Sequence, residues 1–385
     1  MKTNIIDAPS AGRHGYSGAL AVCVAGAFVG FSLAALVVLS TWQMHNVGCD
    51  SLLAGANVLA FALGAWLPGP LNAYLIECFY RKRLFYGAAA VLIASGLASG
   101  LAGTVAEILA LRMVQGGAAA VALLALGTLA NDLSPSTRRT RTDTLLSWFR
   151  RIALPCGLGV GAWLPSAVGA NLAFIFSLVP AACAMLVVAP VHVPFRAPLR
   201  RRRCSCDRFW LPRALPLVLN LLPAAAAAGL FFGTVTQPSE YGCMAIGCLL
   251  GVWCERVALA GADERAQIGS GLLMMAAGTL LYAHGATAAA ILSLLLLGAG
   301  IGQVMSRFLL YFLKLPGHCQ RATAQHTYML TGETGLALGY AAACGGVSTC
   351  WGILTLVGFA LALYVWVAHP WFVKHRDRDF KFREV

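Results

Sequence analysis

Long apolar runs recur along the whole chain and are separated by short polar segments. Because a helix satisfies its own backbone polar groups in hydrocarbon, each run of about 20 apolar residues predicts a membrane-spanning α-helix. Twelve runs lie near residues 17–41, 52–77, 84–102, 104–130, 146–165, 168–191, 212–236, 240–259, 266–284, 287–313, 325–345 and 349–369. The third and fourth runs are divided at the glycine-rich segment 95–103, because one helix of that length would overshoot a bilayer. The pattern predicts an all-α polytopic membrane protein with twelve transmembrane helices.

The composition agrees with this class of protein. Of the 385 residues, 59% are hydrophobic and 11% are charged, whereas a soluble domain carries about 25% charged residues. The first apolar run is long and lacks a small-residue cleavage site before polar sequence. We therefore interpret it as the first transmembrane helix and not as a signal peptide.

Lysine and arginine fall on one side of the predicted helices. They precede the first run, follow runs 2, 4, 6, 10 and 12, and flank run 8, whereas the loops on the opposite side contain neither residue. By the positive-inside rule both termini and the central loop are cytoplasmic, which predicts a multi-pass protein of the inner (plasma) membrane. Basic loops facing an anionic leaflet account for the net charge of +13 without a nucleic-acid partner.

A polar, basic segment divides the runs into six and six. We predict an N-terminal six-helix half at 1–191, a cytoplasmic linker at 192–211, and a C-terminal six-helix half with a short cytoplasmic tail at 212–385. Cys204 and Cys206 in the linker lack the matched second pair of ligands that a zinc site needs. No metal and no cofactor are expected.

Two polar stretches stand out against the apolar background. The first, AYLIECFYRKRL at 73–84, ends run 2, and the second, LRMVQGG at 111–117, lies in run 4. They resemble the loop signature and the fourth-helix signature of the major facilitator superfamily (MFS). The matching residues are Leu75, Arg81, Lys82 and Leu84, with Glu77 in place of an aspartate, and Arg112, Gln115 and Gly116. The first signature is broken at Ala73, Ile76, Cys78 and Tyr80.

The resemblance implies the MFS fold, in which two six-helix halves rock about a central cavity, and a secondary transporter of a small molecule. The Arg112 motif and the glycines of run 5, Gly157, Gly159 and Gly161, are similar to those of drug-efflux members. They favour proton-coupled export, and proton-coupled uptake of a small solute is the alternative. The implied partners are the substrate, a proton and the lipid bilayer, and we expect a monomer.

Two acids occupy equivalent places in the two halves. Glu77 ends run 2, and Glu255, followed by Arg256, ends run 8. In the arrangement that the resemblance implies, Glu77 faces the start of run 11, where the positive end of a helix dipole attracts a carboxylate by about 0.3–1 kcal/mol. Glu255 faces the start of run 5 near Arg150 and Arg151. We predict that both acids latch an inner gate; the alternative is that they are solvated acids among loop arginines.

Ionisable residues inside the runs are few, because a charge at the centre of such a helix costs about 2.5–3.5 kcal/mol. Arg112 and Gln115 share a face of run 4, which lines the cavity in the resembled family. Glu107 points elsewhere, nearer the outside. Glu333, in the small-residue sequence TGETG, is the best candidate for a group that binds a proton, and a structural ion pair between helices is the alternative. Arg307 is expected to snorkel to the surface.

Other classes of protein are disfavoured. The sequence has no GxxxxGK[ST] loop through which ATP would supply energy. It also has no HExxH or GxSxG sequence, so we expect that the protein is not an enzyme. A signalling or scaffold protein that has lost transport is a further alternative, because the motif after run 2 is degenerate.

Overall fold

The fold is helical throughout the part of the chain that the structure describes. This computed structural model describes residues 13–193, 203–259, 261–285, 287–316, 320–347 and 349–376. Every regular element in these ranges is a helix. The predicted all-α class is confirmed.

Within residues 13–193, seven α-helices precede the linker. They are α1 (Arg13–Asn46), α2 (Ser51–Trp66), α3 (Asn72–Cys78), α4 (Arg81–Ser99), α5 (Val105–Asp132), α6 (Arg139–Val168) and α7 (Ala170–Val188). A 3₁₀ turn at Gly69–Leu71 joins α2 to α3 within one span. Pro68 and Pro70 account for this interruption, because proline has no amide hydrogen to continue the α-helical pattern.

In the described part of the chain, seven α-helices follow the linker. They are α8 (Leu215–Thr234), α9 (Pro238–Val257), α10 (Glu264–Ala283), α11 (Thr287–Lys314), α12 (Arg321–Cys344), α13 (Thr349–Leu363) and α14 (His369–His375). A π-helical turn at Tyr364–Ala368 joins α13 to α14. With two joined pairs, the fourteen helices of the described ranges form twelve spans.

Nine spans in the described ranges are long and apolar enough to cross a membrane by length and hydropathy alone. The other three, α4, α9 and α12, are 19, 20 and 24 residues long but more polar. Their polar side chains have partners inside the bundle. In α12, for example, Thr323 and Thr327 accept hydrogen bonds from the backbone of the linker.

Two boundaries bear directly on the predicted helices. The division at 95–103 is confirmed, because α4 ends at Ser99 and α5 begins at Val105. The predicted start of run 5 near residue 146 is wrong, because α6 begins at Arg139. Residues 139–144 are polar, so hydropathy could not include them.

Two pairs of helices join the halves: α2 packs against α12, and α6 packs against α9. At the end of the bundle opposite the linker, a Cβ atom added to Gly55 would lie 3.0 Å from Ala341, and one added to Gly159 would lie 3.0 Å from Tyr241. At the end that bears the linker, called here the linker end, polar contacts join the halves. A cavity lies between these two closures.

Candidate transport site

The central cavity lies between the two halves and has a volume of about 1200 Å³, part of it open to solvent. Helices α1, α2 and α6 line it from the first half, and α8, α9, α11 and α12 from the second. Most of its wall is apolar. Three charged side chains contribute to its lining, namely Arg150, Arg151 and Glu333.

Arg150 and Glu333 form an ion pair across the halves. Nη2 of Arg150, on α6, lies 2.9 Å from Oε1 of Glu333, on α12. Both side chains are partly buried, with 22% and 31% of their surfaces exposed. Glu333 therefore takes part in an ion pair between helices, which was one of its two predicted roles. Its second predicted role, proton binding, stays a prediction.

Arg151 also lines the cavity, but its partners are neutral. Its Nη1 donates a hydrogen bond to the carbonyl of Gly302 over 3.0 Å, and its Nη2 donates to the hydroxyl of Tyr328. Its guanidinium lies 5.8 Å from the centre of the Tyr328 ring. In the described part of the chain, no carboxylate forms an ion pair with Arg151.

Sequence reasoning placed Arg150 and Arg151 at the start of their helix, and the structure corrects this. Helix α6 begins eleven residues before Arg150, which corresponds to about 16 Å along the axis at about 1.5 Å per residue. Both arginines therefore lie well inside the bundle. The polar sequence RTRTDT at 139–144 precedes the first apolar residues of this helix. It was the part of the helix that the hydropathy pattern did not include.

Arg112 is fully buried but does not line the central cavity, contrary to the prediction. Its Nη1 donates to Oε1 of Gln115 over 2.8 Å, which agrees with a shared helix face, and its Nε donates to Oδ1 of Asn57 over 3.2 Å. Its guanidinium lies 5.2 Å from the centre of the Phe61 ring, and Phe61 lines the cavity. Gln115 continues the network to Ser99 over 2.8 Å. Arg112 therefore stands behind the cavity wall and connects α2, α4 and α5.

Glu107 and Gly116 are the other two candidate residues of α5. Both contribute to the structure of the helix bundle. Glu107 is exposed at the start of the helix, where its carboxylate accepts hydrogen bonds from the backbone amides of Gly103 and Thr104. This capping box places Glu107 outside the cavity. Gly116 lies against the carbonyl of Phe61, where a Cβ atom would overlap the oxygen. Its small size lets α5 approach α2 closely.

Glu77 is buried at the linker end and contacts the linker itself. Its Oε1 lies 3.3 Å from Nη2 of Arg208, and the backbone amide of Arg208 donates to Oγ1 of Thr323 over 2.8 Å. Thr323 lies in the first turn of α12. Glu77 is therefore connected to the start of α12 through Arg208.

Residues 203–211 of the linker, called here the linker wedge, lie between the two halves. On one side, the amide of Ser205 donates to the carbonyl of Pro70 over 3.0 Å. On the other, the amide of Leu211 donates to Oγ1 of Thr327 over 2.9 Å. The ring of Phe209 packs on Gly69 and lies 5.9 Å from the Trp66 ring. The described part of the linker is therefore a component of the closure as well as a connection.

The remaining residues of the first motif fix the local structure. Arg81 forms an ion pair with Asp132 at the end of α5. Nζ of Lys82 donates to the carbonyls of Ala189 and Val191 after α7, over 2.6 and 3.1 Å. The carbonyl of Leu75 accepts the capping hydrogen bond that ends α3. The motif thus ties α3 and α4 to α5 and to the end of α7.

Sequence reasoning missed a second cross-half ion pair at the linker end. Oδ2 of Asp143, which is fully buried on α6, accepts a hydrogen bond from Nε of Arg321 over 2.9 Å and lies 2.9 Å from its Nη2; Arg321 is in the first turn of α12. Arg321 also donates to Oγ1 of Thr140 over 2.9 Å. Asp143 precedes the predicted run 5, so the assigned boundary concealed it.

The second-half acid contacts α6 through an intermediary. Oε1 of Glu255 lies 3.0 Å from Nε of Arg307 and accepts a hydrogen bond from Ser306 over 3.2 Å. Ser306 in turn accepts a hydrogen bond from Trp148 of α6 over 2.9 Å. The guanidinium of Arg256 lies 4.4 Å from the centre of the Trp148 ring. One prediction is corrected, because Arg307 pairs inside the bundle and does not snorkel. Glu255 contacts α6 through Ser306, and its role as a latch stays a prediction.

The twelve-span bundle, its division by a central linker and its cavity between the halves are the architecture of a membrane transporter. Residues 20–353 match the family model of the Major Facilitator Superfamily. The chain belongs to that superfamily. No curated protein matches the sequence.

Solved structures of transporters share the fold. The human organic anion transporter MFSD10 (TETRAN) is 15% identical, with a TM-score of 0.67 over 93% of this chain and 99% of that one. A bacterial homologue of the human lysosomal transporter Spinster, in an inward-facing and unoccupied conformation, is 13% identical, with a TM-score of 0.68 over 96% and 99%. A D-xylose-proton symporter is 13% identical, with a TM-score of 0.69 over 92% and 98%.

Proposed function

We propose that this protein is a proton-coupled secondary transporter that moves a small molecule through the central cavity by alternating access, and that Glu333 and Arg150 form its coupling pair. The ion pair between these residues carries the proposal, because it joins the two halves at the cavity wall. A group that couples transport to protons has to face different surroundings in the two states of the transporter. A residue that pairs across the halves meets this requirement, because its partner moves when the halves move.

Protonation of Glu333 is the physical step that we assign to coupling. It removes the negative charge from the pair and weakens the attraction that joins α12 to α6. The charged groups that line the cavity with Glu333 are Arg150 and Arg151, and its titratable hydroxyls are those of Tyr328 and Tyr340. Proton binding therefore changes both the contact between the halves and the net charge of the cavity.

The linker end is assigned to the cytoplasm of a cell whose plasma membrane the protein spans, because the basic loops lie there. The pairs Asp143–Arg321 and Glu77–Arg208, with the linker wedge, form the inner closure in this assignment. They have to separate when the cavity opens inward. Both halves of this closure come from one chain, so a monomer can form the whole inner closure.

The direction of transport depends on how proton and cargo share the site. Export by proton exchange, which the sequence motifs favour, requires cargo and proton to compete for Glu333. Proton-coupled uptake requires them to bind together, and the pairing of Glu333 with Arg150 favours this second function. Protonation of Glu333 releases Arg150 to bind a cargo molecule in its place.

Proteoliposomes with imposed pH gradients test the proposal. We would measure uptake of two permanently charged probes of similar shape, naphthalene-2-sulfonate and (2-naphthylmethyl)trimethylammonium. If proton and cargo bind together, a transported probe should accumulate inside the proteoliposomes when the external medium is acidic. If they exchange, it should accumulate when the lumen is acidic. No gradient-driven movement of either probe would contradict a transport function and leave the signalling or scaffold alternative.

A further inference from the structure

The charged groups of the central cavity carry information about the cargo. We infer that the cargo is an amphipathic monoanion whose acidic group binds Arg151 and the neighbouring Arg150, while its apolar body occupies the rest of the cavity. The inference rests on the proposed function only in taking this cavity as the cargo site.

The charges that line the cavity do not balance. Two arginines and one glutamate contribute to the wall, so its formal charge is +1 when Glu333 is ionised. Glu333 is engaged with Arg150. While Glu333 is ionised, a ligand with a single negative charge would neutralise the remaining cation, and when a proton binds with it the same ligand would offset the charge that the proton adds.

Arg151 is the cavity-lining arginine that lacks a counterion within the described residues. Glu255, the carboxylate close enough to attract it, is already paired with Arg307. Removing a cation from water without a paired anion costs several kcal/mol. Hydrogen bonds to Gly302 and Tyr328 satisfy two nitrogens of Arg151 but supply no negative charge. An anionic cargo would supply it.

Arg150 adds donor capacity beside Arg151. Its Nη2 is engaged with Glu333, whereas its buried Nε has no hydrogen-bond partner in the described structure. Guanidinium groups bind carboxylate, sulfonate and phosphate oxygens through charge-assisted hydrogen bonds, which are about twice as strong as neutral ones. Two consecutive arginines at one cavity wall therefore form a recognition site for a single acidic group.

The rest of the cavity selects for an apolar body. Aliphatic and aromatic side chains dominate its wall, including Leu154 of α6, Phe61 of α2, Phe232 of α8 and Ile301 of α11. Binding a fully hydrophilic anion would leave these surfaces in contact with polar groups, which costs free energy. A molecule with one acidic group on an aromatic or aliphatic body satisfies both parts of the cavity.

Equilibrium binding to the full-length protein in lipid nanodiscs tests this inference without requiring transport. The probes are naphthalene-2-sulfonate, its nearly isosteric neutral analogue naphthalene-2-sulfonamide, and (2-naphthylmethyl)trimethylammonium. We expect the sulfonate to bind at least about tenfold more tightly than the other two. In Arg151→Gln the affinity for the sulfonate should exceed that for the sulfonamide by less than about twofold, and Arg151→Lys should restore part of this difference. Arg83→Gln, which removes an exposed charge outside the cavity, is the control and should leave all three affinities unchanged.

Each result separates this inference from the proposed function. If the sulfonamide or the cation binds as tightly as the sulfonate, or if no probe binds, the anionic cargo is wrong. Gradient-driven movement of the cationic probe alone would support the transport function and contradict an anionic cargo. Preferential sulfonate binding without any flux would uphold the anion site and overturn transport. If Arg151→Gln does not fold, the three wild-type affinities decide.

Discussion

The carboxylate of Glu77 lies 3.3 Å from the guanidinium of Arg208, so an acid at the end of the second span pairs with an arginine of the linker that connects the halves. Arg208 has a positive φ of 57°, which is uncommon for a residue other than glycine. Its own amide is bound to Thr323 at the start of α12. One linker residue therefore contacts both halves at the linker end.

Loss of this contact should loosen the closure at the linker end. In Arg208→Ala, a cysteine introduced at Gln325 of α12, which lines a smaller cavity at this end, should react with a thiol reagent several times faster than in the parent protein. The measurement requires a background in which the native cysteines are replaced. Arg203→Ala changes an exposed arginine of the same linker and is the control. Equal labelling rates in both variants would show that the Glu77–Arg208 pair does not hold the closure.

The Asp143–Arg321 pair should contribute strongly to stability. Breaking a buried ion pair by removing one partner costs about 3–5 kcal/mol, and Asp143 is fully buried. Asp143→Asn should lower the midpoint of thermal unfolding by several degrees. The exchanged pair Asp143→Arg with Arg321→Asp should recover part of the loss. A midpoint for Asp143→Asn that matches the wild type would mean that the pair contributes little.

Arg112 should matter for the framework more than for cargo binding. Arg112→Ala leaves Oε1 of Gln115 without its donor, whereas Oδ1 of Asn57 keeps the hydrogen bond from Ser40, and an unsatisfied buried group costs about 1–3 kcal/mol. Thermal unfolding should shift to lower temperature, while the affinity for naphthalene-2-sulfonate changes by less than about threefold. A loss of affinity above about tenfold in a variant of normal stability would instead place Arg112 in the cargo site.

Gly116 should be intolerant of even one added carbon. In Gly116→Ala the new Cβ overlaps the carbonyl oxygen of Phe61, so α2 and α5 have to move apart. Such overpacking costs about 1–3 kcal/mol and should lower the unfolding midpoint. Gly87→Ala is the matched control, because no atom lies within 4 Å of its Cβ position. Similar midpoints for the two variants would contradict the close contact.

The sequence predicted the residue types of the site better than their surroundings. The spacing of Arg112 and Gln115 predicted their shared face, which their hydrogen bond confirms. It could not show that Phe61, on another helix, separates Arg112 from the cavity. Helical periodicity describes one helix at a time, so contacts between helices lie beyond it.

The partners of Glu333 and Glu77 illustrate a second limit. Arg150 is 183 residues from Glu333, and hydropathy placed it at the start of run 5 because the six polar residues that begin α6 resemble a loop. Arg208 lies in a linker whose composition predicts only exposure to water. Which basic residue meets which acid depends on how the two halves pack, and that information is distributed over many apolar contacts.

The Glu333→Gln variant in proteoliposomes tests the coupling role of the Arg150–Glu333 pair most directly. Glutamine has nearly the shape of protonated glutamate and cannot release a proton. We predict that the variant still exchanges labelled for unlabelled naphthalene-2-sulfonate across the membrane but no longer concentrates it in response to a pH gradient, whereas the wild type does both. A variant that concentrates the probe with the wild-type dependence on the gradient would contradict the account.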